Sequence, residues 1–249
     1  MKLKRTKGII LKVYKTGETT KIITVYSKDD GKLSLVARGA RRPLSKFVSV
    51  IDLGNFAEFV YYWKENRELY YISDASLLES YDSLKVNLSK FWMFNCLLEL
   101  VNITTPFEEP NYRLFGLLRA GLDTLNKWEL EKVRLLLYGF IMKLLRVQGL
   151  APEMKKCVDC GSKLGNIRAY LNPSKGGFVC PRCVRMDKQA TLIVGMDIRK
   201  LLQHFSRYSF ERIKNLRLSF DQDLLLRKVV KSILAHYASD TLLKCKELL

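Results

Sequence analysis

Along residues 1–76, short apolar-rich runs of Ile, Val, Tyr and Thr are separated by polar turn signals. Strands are predicted over residues 7–15, 20–27, 32–38, 56–63 and 69–76. Lys28-Asp29-Asp30-Gly31 reads as a hairpin loop in which Gly31 is free to take a positive φ, and Lys64-Glu65-Asn66-Arg67 reads as a second. A longer link, residues 39–55, contains Pro43 and Gly54. Five strands with one long link after the third fit an OB-fold barrel, and also an SH3-like barrel.

From Leu84 the period becomes helical. Phe94, Leu97, Leu98 and Val101 form one apolar stripe, and Phe115, Leu118, Leu122 and Leu125 a second. A third runs from Val133 through Phe140 to Leu145, and Gly149 and Pro152 end it. Pro106 and Pro110 interrupt the chain between the first two. Helical patterns return over 197–205 and 224–237. The pattern therefore predicts an α+β chain: an N-terminal five-stranded OB-fold barrel over residues 1–80 and a helical domain over 81–249. No run approaches the roughly 20 apolar residues that span a bilayer, and the N-terminus lacks a signal-peptide core. The expectation is a soluble, cytoplasmic protein.

Charge changes this picture most. The 249 residues carry a net +18, and residues 1–50 hold thirteen Lys or Arg against three acids, a local +10. A field this positive recruits a polyanion, and nucleic acid gains affinity by releasing counterions. The alternative is charge that only maintains solubility.

Two C-x2-C pairs, Cys157/Cys160 and Cys180/Cys183, interrupt the helical region. Each pair places two thiolates on one tight turn, with Gly161 directly after the first. Facing each other, the turns predict a tetrahedral four-thiolate site for one structural zinc in a ribbon-like insert, residues 154–190. Four protein ligands leave no position for substrate, which disfavours a zinc hydrolase. Disulfides are disfavoured in a reducing compartment, and a redox motif would need a single pair beside a βαβ unit. Cys96 and Cys245 lie in helical patterns and read as buried apolar residues.

The segment from Ala37 to Phe47 packs Arg38, Arg41, Arg42 and Lys46 at the exit of the third strand. Arginine forks match phosphate oxygens and stack on bases, so these four are the candidate DNA contacts. Tyr14, Tyr26, Phe47, Phe59 and Tyr61 are candidate base platforms, with core packing the competing reading. Lys175, Arg182 and Arg185 offer a second set of cations in the insert. Enzymatic readings fare badly. His204 and His236 lie in helical patterns, Asp221 and Asp223 read as the start of a helix, and neither a phosphate loop nor a nucleophile elbow occurs.

Taken in order, several stretches resemble the RecO family of bacterial DNA repair proteins along nearly the whole chain. They are Gly8-Ile9-Ile10-Leu11-Lys12 with Thr16–Ile23, then Asp30-Gly31-Lys32-Leu33, then Arg38-Gly39-Ala40-Arg41. The run Leu144 to Gly149 follows, with Pro152 and the first cysteine pair, and last Gly176-Gly177-Phe178-Val179 before Cys180. The resemblance implies an OB-fold, a helical domain, a zinc ribbon and a nucleoid-associated recombination mediator that is not an enzyme. It implies single-stranded and double-stranded DNA as partners, annealing of complementary strands, work with RecR to load RecA, and docking of the C-terminal tail of single-strand-binding protein on the helical domain. The family's pocket arginine aligns near Tyr138-Gly139, where Lys143 and Arg146 are the neighbouring cations. An RNA- or ribosome-associated zinc-ribbon OB protein is the rival reading, favoured by charge alone.

Overall fold

The computed structural model describes residues 2–186 and 192–237. Its N-terminal strands are β1 (Lys2–Thr16), β2 (Thr20–Ser27), β3 (Gly31–Ala37), β4 (Phe56–Trp63) and β5 (Leu69–Glu79). They close into a barrel in the order β1-β2-β3-β5-β4, with β4 returning to β1. The pair β3–β5 is parallel and short, Ser34 to Val36 against Leu69 to Tyr71. That closure decides for the OB-like arrangement over the SH3-like one.

β1 is longer than its sequence pattern because it serves two neighbours. Lys2 to Ile9 pair with β4, and Gly8 to Thr16 pair with β2. Its first residues, Lys2 to Lys7, are mostly polar, so hydrophobic alternation there is weak and pairing alone makes them a strand. Inside the barrel lie Ile10, Ile23, Val25, Leu35, Phe59 and Tyr61. Phe47, Val50 and Ile51, from the long link between β3 and β4, join the same cluster. The link is therefore no free loop, because its apolar residues are buried with the core.

The chain divides into two compact units, Met1–Lys127 and Trp128–Leu249. The first also contains α1 (Ser83–Val86), α2 (Leu88–Thr104) and α3 (Tyr112–Lys127). Asn87 caps α2, its side chain accepting from the Lys90 amide at 3.1 Å. Cys96 is fully buried on α2. Cys245 lies outside the described residues.

The second unit contains α4 (Val133–Val147), then four short strands: β6 (Glu153–Cys157), β7 (Ala169–Asn172), β8 (Gly177–Val179) and β9 (Leu192–Val194). They form one sheet in the order β6-β8-β7-β9. Helices α5 (Met196–Arg207), α6 (Phe210–Lys214) and α7 (Phe220–Tyr237) follow. Strands of three to five residues are too short for alternation to register, which is why the sequence shows the cysteines but not the sheet beneath them. Residues 187–190 of the predicted insert lie outside the described residues. Among the described residues, no helix is long and apolar enough to cross a membrane.

Candidate metal centre and nucleic-acid surface

Cys157 ends β6, Cys160 lies in the turn after it, Cys180 directly follows β8, and Cys183 opens a 3-10 turn, Cys183–Met186. The parallel β6–β8 pair, with Cys157 opposite Phe178, brings the two cysteine turns together. Each turn closes on backbone bonds: the Gly161 amide donates to the Cys157 carbonyl at 2.9 Å, and Val184 to that of Cys180 at 3.0 Å. Gly161 takes φ 71°, a conformation that side-chain-bearing residues avoid.

The four Sγ atoms lie within 4.8 Å of one another. A tetrahedral ion with metal–sulfur bonds of about 2.3 Å sets its sulfurs about 3.8 Å apart. Cys160 Sγ and Cys180 Sγ are 3.8 Å apart. The Cys180 amide donates to Cys157 Sγ at 3.3 Å, and Ser162 Oγ lies 3.1 Å from Cys160 Sγ, donors placed to support thiolates. Hydrogen bonds from the Ser162 side chain and backbone pull the Cys160 thiol down to about 6. The adjoining Cys180 and Cys160 push Cys183 up to about 12. The donor set and spacing fit a metal ion, and these four cysteines could hold one.

The predicted DNA contacts sit on the barrel unit in unlike states. Arg38 is exposed, its guanidinium 4.3 Å from the centre of the Tyr71 ring. Arg41 is exposed and donates to the Gly17 carbonyl at 2.9 Å, which ties the long link to the β1–β2 turn. Arg42 is exposed and its guanidinium makes no ion pair or hydrogen bond among the described residues. Lys46 is committed: it reaches Asp74 at 2.7 Å and the Ser73 carbonyl at 3.0 Å, and it holds the Asp74 carboxyl below its usual range.

Of the candidate platforms, Tyr26, Phe47, Phe59 and Tyr61 are buried, so core packing claims them. Tyr14 is exposed, with the Lys12 ammonium 4.4 Å from its ring centre. Sequence reasoning missed Tyr71 and Tyr62, which face each other across β4 and β5. Tyr62 is 40% exposed, whereas its neighbour Tyr61 is fully buried. The signal was present: strand parity, with Phe59 and Tyr61 inward, puts Tyr62 outward.

In the second unit, Tyr138 is fully buried and donates to Asp223 Oδ1 at 2.8 Å. Asp223, in the first turn of α7, also takes Arg134 and Arg227, each at 2.7 Å. Lys143 donates to the carbonyls of Phe205, at 2.6 Å, and of Tyr208. Arg146 donates to that of Ser206 at 3.3 Å. Burial, then the nearby Arg146 charge, push the Lys143 ammonium down to about 8. Both cations are thus occupied with the last carbonyls of α5. His204 is half-buried on that helix, its pKa lowered by burial and by Lys143 and Arg212. Lys175 pairs with Asp159 at 2.7 Å, while Arg182 and Arg185 are exposed.

Comparison with known proteins agrees with this architecture. The family model for Recombination protein O N terminal matches residues 1–81, and that for Recombination protein O C terminal matches residues 87–244. The DNA repair protein RecO of Prosthecochloris aestuarii is 32% identical, across 87% of this chain and 84% of its own length. That of a Thermoanaerobacter species is 28% identical over 97% and 94% respectively. That of Acetivibrio thermocellus is 32% identical over 76% and 74%. With a closed five-stranded barrel, a helical unit carrying four clustered cysteines, and both family models covering nearly all its length, the chain belongs to the RecO family of DNA repair and recombination proteins.

Proposed function

We propose that this chain is a recombination mediator whose barrel, residues 1–80, binds single-stranded DNA and promotes annealing of complementary strands. Arg38, Arg41 and Arg42 supply the principal phosphate contacts, and Lys46, drawn toward Asp74, a weaker one. The observation that carries the reading is Arg38 over Tyr71, beside the exposed Tyr62: cation and aromatic surface together, as single-strand binding requires. The cysteines hold one zinc, which shapes the ribbon and leaves no position for chemistry. On this reading the protein is not an enzyme and works in the bacterial cytoplasm. It acts with RecR to load RecA, and the helical region takes the tail of single-strand-binding protein.

The test replaces Arg38, Arg41 and Arg42 together with Ala. Exposed charges contribute little to stability, so Tm should stay nearly unchanged. Single-stranded binding should weaken, its log–log salt slope falling by about 2 at roughly 0.7 per lost contact. Fluorescence-monitored annealing should slow in parallel. Normal binding and annealing by this variant would move the DNA site elsewhere. Preference for folded RNA, with indifference to the coating protein's tail, would favour the RNA-associated alternative.

A further inference from the structure

We infer that the second unit carries its own phosphate-binding trough, at the root of the cysteine ribbon, which takes the backbone of a second nucleic-acid strand. This rests on the proposed annealing function but uses different residues. A cavity of about 390 Å³ lies between β6, the turn after the first cysteine pair, and α5. Lys155, Lys156, Lys163, Arg199 and Lys200 line it, and among the described residues no carboxylate does.

Two features separate this trough from an ordinary solvated lysine patch. Lys156 and Lys163 are direct partners in an antiparallel bridge, an arrangement of like charges that is destabilising and that a bound anion would relieve. The four lysines are exposed and form no ion pair among the described residues. Behind them, Arg199 is 3% exposed and has no carboxylate partner. Its terminal nitrogens donate to the carbonyls of Met154 (3.1 Å), Gly165 (3.0 Å) and Ile167 (2.7 Å). Its Nε is buried without a partner. An uncompensated buried guanidinium beneath four unpaired ammonium groups makes a positive potential that a chain of phosphates would neutralise.

Strand annealing brings two strands together, and the barrel contacts proposed above are assigned to one of them. A second track on the other unit supplies what the reaction needs. The apolar part of the lining, Met154 and Met196, suits the sugar edge of a backbone as well as its charge.

The experiment uses the full-length, zinc-loaded chain with Lys156, Lys163 and Lys200 changed to Ala, and leaves Arg199 in place because it ties α5 to the ribbon. Two non-complementary oligonucleotides carrying donor and acceptor dyes report co-capture on one protein. The variant should bind the first strand within about twofold of wild type and co-capture the second about tenfold more weakly, with a reduced salt slope. The Arg38/Arg41/Arg42 variant should do the reverse. Unchanged co-capture by the lysine variant overturns the trough while leaving the barrel site standing. Should wild type bind no strand, the proposed function fails, and inorganic pyrophosphate decides the trough separately. It should raise the Tm of wild type and not of the lysine variant, and an equal response of the two overturns the inference.

Discussion

Gly31 takes φ 71°, and a Cβ there would stand 2.5 Å from the Glu109 carbonyl carbon, so the backbone passes too close for any side chain. The next residue, Lys32, is 6% exposed, yet its ammonium donates to the carbonyls of Asn102 (2.7 Å) and Thr105 (2.5 Å) at the end of α2. It also lies 4.4 Å from the centre of the Phe107 ring. A cation there complements the negative end of the helix dipole and satisfies carbonyls that the helix leaves open. The Asp30-Gly31-Lys32-Leu33 stretch that carries family likeness is thus a dock between the barrel and α2, and it has no need of a DNA role. Lys32→Met should cost about 2 kcal/mol in urea unfolding, by orphaning those carbonyls, while single-stranded DNA affinity stays within about twofold. A variant as stable as wild type would show the contact to be incidental. Burial lowers the Lys32 pKa, so at alkaline pH the unfolded chain holds this proton more readily than the folded one. This residue's share of stability therefore rises as pH climbs toward the free-lysine value, and Lys32→Met should remove that rise from the pH–stability curve.

At the scale of elements, the proposed zinc should matter to the cysteine ribbon and not to the barrel. β6, β7, β8 and β9 offer only five, four, three and three residues, so strand pairing alone contributes little to this sheet. On the proposed reading a structural ion cross-links the ribbon, so elemental analysis of reduced, metal-replete protein should find one zinc per chain. Chelation, or Cys157→Ser, should abolish hydrogen-exchange protection across residues 153–186 and leave the barrel strands protected. Clearly substoichiometric zinc would defeat the assignment. Cys157 and Cys180 are buried and Cys160 is exposed, so a chelator should reach a bound ion from the Cys160 side.

The whole molecule is a polycation, +18 over 249 residues, and its affinity for single-stranded DNA should be dominated by counterion release. With about four to six phosphates neutralised, log K against log[salt] should slope near −3 to −4, at roughly 0.7 per contact. A flat response would leave this charge without its proposed purpose. The sequence by itself determined the parts whose signal is local. Runs of β-branched and aromatic residues between turn signals marked all five barrel strands, turn chemistry put Gly31 at positive φ, and C-x2-C spacing marked the four cysteines that cluster. A strand's parity, a turn's dihedral and a knuckle's bite each depend on a few adjacent residues. Only the tertiary structure decided what depends on distant neighbours. The parallel β3–β5 pair closed the barrel, burial took Phe47 and Tyr61 from the candidate platforms, and the fold set Arg38 against Tyr71. An ion pair with Asp74 occupied Lys46, while Lys156 and Lys163 met across a bridge. Partnership is set by residues far along the chain and no local pattern encodes it, whereas exposure is legible only where strand parity reports it, as at Tyr62.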